Sequence, residues 1–223
     1  KETAMRFSNT IGPVWKRPSH NLMWHYRTTN GLGFHEYLQL CEDLDMEPMY
    51  VCNCGMSCQA RVAEMFNDET VDEFLQEALN ALEYALGPVD SVYGAMRKEA
   101  GHPEPFRMKY VEIGNENWGP EYEARYEKFY KVLKEKYPDI IYISNCHTEK
   151  SGLPTEIADE HYYNTPEFFW KMKIVLSPMI AVVQRFLWEN MQSMGEIRLL
   201  PWNAPWQKRY FWPGQNGIRT LLN

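Results

Sequence analysis

The stretch Lys109-Tyr110-Val111-Glu112-Ile113-Gly114-Asn115-Glu116-Asn117-Trp118-Gly119 decides how this chain is read. Met108 to Ile113 is a short apolar run with β-branched residues, closed by a glycine, which predicts a buried strand. An Asn-Glu pair stands at the strand's mouth. Cleaving a glycosidic bond needs a carboxylic acid that protonates the departing oxygen, and in a retaining enzyme a second carboxylate about 5 to 5.5 Å away. Glu116 is placed to be that acid, and Asn115 to hydrogen-bond a neighbouring sugar hydroxyl. The plainer alternative is a surface acid that happens to follow a strand, and only the surrounding chain separates the two.

Working outward, the same rhythm repeats. Phe34 to Leu44 carries Phe34, Tyr37, Leu38, Cys41 and Leu44 at helical spacing, and Pro48 to Asn53 reads as a short buried strand. Asp68-Glu69-Thr70 opens a helix with Val71, Phe74, Leu75, Ala78, Leu79 and Leu82 on one face, stopped by Gly87-Pro88. After the central strand, a helix from about Glu121 to Lys136 turns Tyr126, Phe129, Tyr130 and Leu133 inward, and Pro138 ends it. Ile140 to Ser144 and Ile157 to Tyr163 read as further strands. Alternating strands and helices predict an α/β fold with a parallel sheet. Polar residues gather at the strand ends: Asn53, Asn115, Glu116, Asn145 and His161. In α/β barrels that edge carries the chemistry.

Composition bounds the function. The chain has 223 residues and a net charge of -7, which argues against nucleic acid as the main partner. No apolar stretch of about 18 residues is present to span a membrane. Residues 1–10 lack the apolar core of a signal peptide, and localisation stays open. The five cysteines are odd in number, and Cys52, Cys54 and Cys58 match no common zinc spacing, so free buried thiols are expected.

Ordered matches along the chain carry a resemblance to glycoside hydrolase family 51, the α-L-arabinofuranosidases. They are Asn9-Thr10-Ile11-Gly12-Pro13, Arg17-Pro18, Thr29-Asn30-Gly31-Leu32-Gly33, Gly101 to Phe106, Gly114-Asn115-Glu116, Ile143 to Cys146 and Asp159-Glu160-His161-Tyr162-Tyr163. The resemblance covers roughly residues 6 to 169. It implies a (β/α)8 barrel carrying a β-sandwich domain, of which residues 1–169 hold roughly the third to sixth strands. It implies release of terminal arabinofuranosyl groups from arabinan or arabinoxylan with retention, and no metal or organic cofactor. Glu116 takes the acid/base position. Asn30 and Asn115 take substrate-binding positions, and His161 and Tyr163 positions beside the nucleophile. Taken alone, His161 and Tyr163 read equally as core residues, and Trp118 either lines the cleft or packs. An oligo- or polysaccharide is the expected partner. Family members often assemble into homo-oligomers, and no sequence feature here fixes that state.

Three family features are not legible: an Arg-Phe-Pro-Gly-Gly turn, a substrate-binding acid that accompanies it, and a nucleophile Glu in a setting like Phe-Val-Gly-Glu-Tyr-Ala. From Trp170 to Asn223 the strand-helix rhythm stops; this stretch has seven Lys and Arg against two acids, and five of the eight Trp. Shifting the frame by one base lets the codons of Trp188 to Gln192 read Gly, Glu or Lys, Tyr or His, Ala. Residues 170–223 are therefore expected to be an out-of-frame translation. Without the nucleophile the chain is expected to have little activity alone. Endo-acting members that cut β-1,4-glucans or xylans, and a non-catalytic carbohydrate-binding fragment, are the competing readings.

Overall fold

A computed structural model describes residues 4–22 and 25–171. The chain divides into one unit over Lys1–Asp159 and a second over Glu160–Asn223. All but the first two residues of the stretch expected to be out of frame lie outside the described residues.

The first unit is built on four parallel strands: β3 (Met49–Cys52), β4 (Tyr110–Ile113), β5 (Ile141–Ser144) and β6 (Ile157–Ala158), neighbours in that order. A two-residue antiparallel pair, β1 (His20–Asn21) and β2 (Arg27–Thr28), precedes them. Among the described residues of this unit, four α-helices accompany the sheet: α1 (Phe34–Asp43), α2 (Asp68–Leu86), α3 (Val92–Glu99) and α4 (Pro120–Lys136). The register aligns the strand ends: Cys52 pairs with Ile113, Ile113 with Ser144 and Ser144 with Ala158. That alignment brings the residues that follow, Asn53, Gly114 to Glu116, Asn145 and Asp159, to one edge. The last strand is shorter than the sequence predicts, because pairing stops at Ala158.

Local chemistry explains the helix bounds. Asn67 caps α2 by accepting from the Thr70 N–H at 3.2 Å, and Asp68 and Glu69 favour the positive end of the helix dipole. α4 starts with Pro120 in its first turn and ends with Lys134 and Lys136, both suited to their ends of the dipole. α2 buries Val71, Phe74, Leu75, Ala78, Ala81, Leu82, Tyr84 and Ala85. Each large apolar side chain so buried contributes about 1.5–3 kcal/mol. α3 is short, packs Tyr93 and Met96 against the core, and is not predicted by periodicity. It is held by the Ser91 cap, whose Oγ accepts from Gly94 N at 3.1 Å, and by Arg97. The guanidinium of Arg97 is fully buried and donates to the carbonyls of Tyr84, His102 and Pro103.

The inward face of α1 differs from the predicted one. His35 and Leu38 are buried, while Tyr37 and Leu44 are 54% and 58% exposed. The reason is a polar anchor that an apolar count overlooks: His35 Nδ1 shares a 2.8 Å hydrogen bond with the Tyr84 hydroxyl of α2. No helix among the described residues is long and apolar enough to cross a membrane.

Candidate functional site

Every residue of β4 is buried, including Glu112, so the strand delivers the turn that follows it from a fixed base. Gly114 leaves the strand with a φ of 83°, in the left-handed region where a side chain is strained. A Cβ there would stand 2.8 Å from Asn117 Oδ1, 2.8 Å from Asn145 Oδ1 and 3.0 Å from Cys54 Sγ. Glycine is therefore required twice over, by backbone conformation and by space.

Two residues on, Glu116 also has a positive φ, 51°. A non-glycine residue held there costs of order 1–3 kcal/mol, so the surroundings must impose it. Asn117 does much of this. It is fully buried; its Oδ1 accepts from Asn115 N at 3.1 Å, and its Nδ2 donates to Ser57 O at 2.8 Å. The turn is thereby pinned to the loop after β3. That loop replies: Gln59 N donates to Glu116 O at 3.1 Å, and the Cys58 thiol donates to Glu116 Oε2 at 2.7 Å.

The neighbouring strand end is tied in as well. The buried Tyr122 hydroxyl donates to Ile113 O and accepts from Asn145 N, both at 2.8 Å, bridging β4 and β5. Burial pushes Tyr122 far above the ordinary tyrosine range, so it stays a donor. Asn145 Nδ2 donates to Glu112 Oε1 at 2.6 Å and to Gly114 O at 3.2 Å. A buried carboxylate beneath the Asn-Glu turn thus has an amide partner across the sheet.

The remaining candidates fall in different places. Glu116 is half-buried and Asn115 is exposed at the strand mouth. Asn53 spends its side chain locally, accepting from Gly55 N at 2.7 Å. Asn30 is 1% exposed, with Nδ2 donating to Pro18 O at 2.7 Å. Its loop is gripped by Arg17, which donates to Asn30 O and Gly12 O and forms a two-point pair with Glu36 at 2.8 and 2.7 Å. The Asn30 amide is thus directed into the protein. His161 and Tyr163 belong to the second unit, with ring centroids 6.5 Å apart. His161 is half-buried and Tyr163 is 60% exposed. Trp118 is 49% exposed beside the acid turn.

Among the residues of the site that sequence reasoning did not single out are Asn117 and Cys58. Asn117 lies inside the deciding motif, and its signal was a second Asn straight after the Glu. Cys58 was grouped with the buried thiols; Cys52 and Cys54 are buried, but Cys58 is half-exposed and holds Glu116.

Residues 1–177 match the family described as Alpha-L-arabinofuranosidase 1 domain. The chain belongs to the family 51 α-L-arabinofuranosidases. It is similar to Alpha-L-arabinofuranosidase 1 of Arabidopsis thaliana, 38% identical over 177 residues, which are 76% of this chain and 25% of that one. Alpha-L-arabinofuranosidase 2 of the same plant is 40% identical over 164 residues, 72% of this chain and 24% of that one. The arabinose-bound structure of a family 51 α-L-arabinofuranosidase superposes with a TM-score of 0.71 at 28% identity, covering 84% of this chain and 29% of that one. This arabinofuranosidase-family chain therefore spans about a quarter of the length of the curated relatives it matches. The α/β architecture with its parallel four-stranded sheet agrees with the sequence reading of the fold.

Proposed function

We propose that this chain carries the acid/base half of a retaining α-L-arabinofuranosidase site, on a partial (β/α)8 barrel comprising roughly the third to sixth strands. The observation that carries the reading is Glu116. Its carboxyl sits at the C-terminal edge of a parallel sheet, on a left-handed turn pinned by Asn117 and Gly114, in a chain of the arabinofuranosidase family. That edge is where α/β barrels place their chemistry. In the proposed reaction Glu116 protonates the departing glycosidic oxygen. A second carboxylate attacks the arabinofuranosyl carbon to form the covalent intermediate, and Glu116 then deprotonates the water that releases arabinose.

Asn115, exposed beside Glu116, is assigned to a sugar hydroxyl. His161 and Tyr163, of the second unit, are assigned the roles beside the nucleophile that the family resemblance implies. Asn30, whose amide donates to Pro18 O, is assigned the substrate-binding position that the family resemblance implies. The nucleophile belongs to the segment proposed to be out of frame, so the chain as it stands hydrolyses little.

The test compares two proteins on an aryl α-L-arabinofuranoside: this chain, and the chain with its tail frame restored within a full-length relative. The restored protein should turn over, and E116Q in it should lose about 10²–10⁴-fold in kcat, the range a general acid supplies. Robust turnover by the 223-residue chain alone, or full activity in restored E116Q, refutes the reading.

A further inference from the structure

The loop between β3 and α2 reaches across the strand ends and holds Glu116 at two points, one on the main chain and one on the side chain. The side-chain contact is the thiol of Cys58, 58 residues away in sequence, with Sγ 2.7 Å from Oε2. We propose that Cys58 is a positioning residue for Glu116, its S–H fixing the carboxyl in one orientation at the sheet's edge. This deepens the acid/base reading and rests on it for the role of Glu116.

Three observations support the assignment. First, Cys58 is itself held. Its carbonyl accepts from the N–H groups of Arg61, Val62 and Ala63, at 3.1, 3.2 and 3.2 Å, so the loop folds back on that residue. Ala63 adopts a left-handed φ of 53° to complete the turn. Second, the next residue grips the same glutamate: Gln59 N donates to Glu116 O, which sets the distance between the two segments independently of the thiol. Ser57, on the other side, accepts from Asn117. Third, the electrostatics favour the protonated thiol. Burial pushes Cys58 up, and the hydrogen bond and charge of Glu116 push it further; the backbone N–H groups of Ala60 and Arg61 oppose this and do not win. Glu116, from the turn between β4 and α4, is the titratable side chain acting on it. Reactive cysteines sit in electropositive surroundings that favour the thiolate. Cys58 sits in the opposite kind, which suits a donor and not a nucleophile.

The pairing is reciprocal, so the thiol reports on the carboxylate without any need for turnover. The experiment labels the 223-residue chain with iodoacetamide across about pH 7 to 10 and measures each cysteine by peptide mass spectrometry, for the native chain and E116Q. Cys146, raised by burial with Glu123 and Glu149 beside it, is the internal reference. In the native chain Cys58 should label about tenfold more slowly at about pH 8 than in the urea-unfolded chain, since only the thiolate reacts. E116Q should accelerate Cys58 several-fold and shift its labelling profile to lower pH, with Cys146 unchanged. Equal rates for folded and unfolded Cys58 overturn the proposal. So does an E116Q profile in which Cys58 does not move relative to Cys146. Should E116Q fail to fold, the native comparison alone decides. A chain that hydrolyses nothing leaves this outcome intact, and an unperturbed Cys58 leaves the arabinofuranosidase reading standing.

Discussion

Replacing Asn117 with alanine should loosen the acid turn more than any exposed change nearby, and its cost can be worked from the contacts. Asn117 is fully buried and makes two short amide bonds, from Asn115 N at 3.1 Å and to Ser57 O at 2.8 Å. Two neutral hydrogen bonds contribute about 1 kcal/mol each. A buried void of amide size adds roughly another 1 kcal/mol. Asn115 is exposed, so water can satisfy its stranded N–H, and no further desolvation penalty is added on that side. The expected loss is about 3 kcal/mol, of which the geometry assigns two-thirds to hydrogen bonds. Urea denaturation followed by circular dichroism measures it, with the slope against urea unchanged. Asn80→Ala, which removes the exposed acceptor of Gln76, serves as the control and should stay within about 0.5 kcal/mol. Asn117→Asp sharpens the test: it keeps an acceptor for Asn115 N but turns an oxygen toward Ser57 O. It should destabilise at neutral pH and recover in acid, once the new carboxyl can donate. A loss below about 1 kcal/mol for Asn117→Ala would refute the claim that this amide pins the turn.

Two further outcomes follow from buried charge. Arg17→Met removes the cation whose side chain is 3% exposed and leaves the Glu36 carboxylate without its two-point partner. Stability should fall by about 3–5 kcal/mol, and Arg17→Met/Glu36→Gln should regain part of it in the same urea assay. His35 supplies a pH dependence. Burial holds it below its ordinary 6.5, against the upward pull of Glu36, so the unfolded chain binds the proton first as pH falls. Its contribution is complete above about pH 6.5 and is lost below that, with a slope of at most about 1.4 kcal/mol per pH unit. His35→Gln should flatten the fall in melting temperature on moving down from about pH 6.5, and an unchanged slope would contradict the assignment.

The sheet was legible because its parallel strands write themselves as short apolar runs between helices of period 3.6, although β3, expected to be buried, buries only Cys52 and leaves Val51 exposed. Met49–Cys52, Tyr110–Ile113 and Ile141–Ser144 all fall within predicted strands, and α2 and α4 begin within a residue of their predicted starts. Helix α3 was not legible, because it is only eight residues long and, beside Tyr93 and Met96 on the core, Arg97 holds it by donating to three carbonyls. The inward face of α1 was misjudged for a related reason: an apolar count cannot register that His35 finds Tyr84.

The one-dimensional order of residues was enough to place Gly114-Asn115-Glu116 at the end of a buried strand and to mark the family, because strand propensity, glycine and short motifs are local properties. Only the folded chain decided how the acid is held. Cys58, Ser57 and Gln59 meet Glu116 and Asn117 across about sixty residues of sequence, and Asn145 meets Glu112 across 33. Side-chain hydrogen bonds at such separations depend on strand register, and register is set by the packing of the whole sheet.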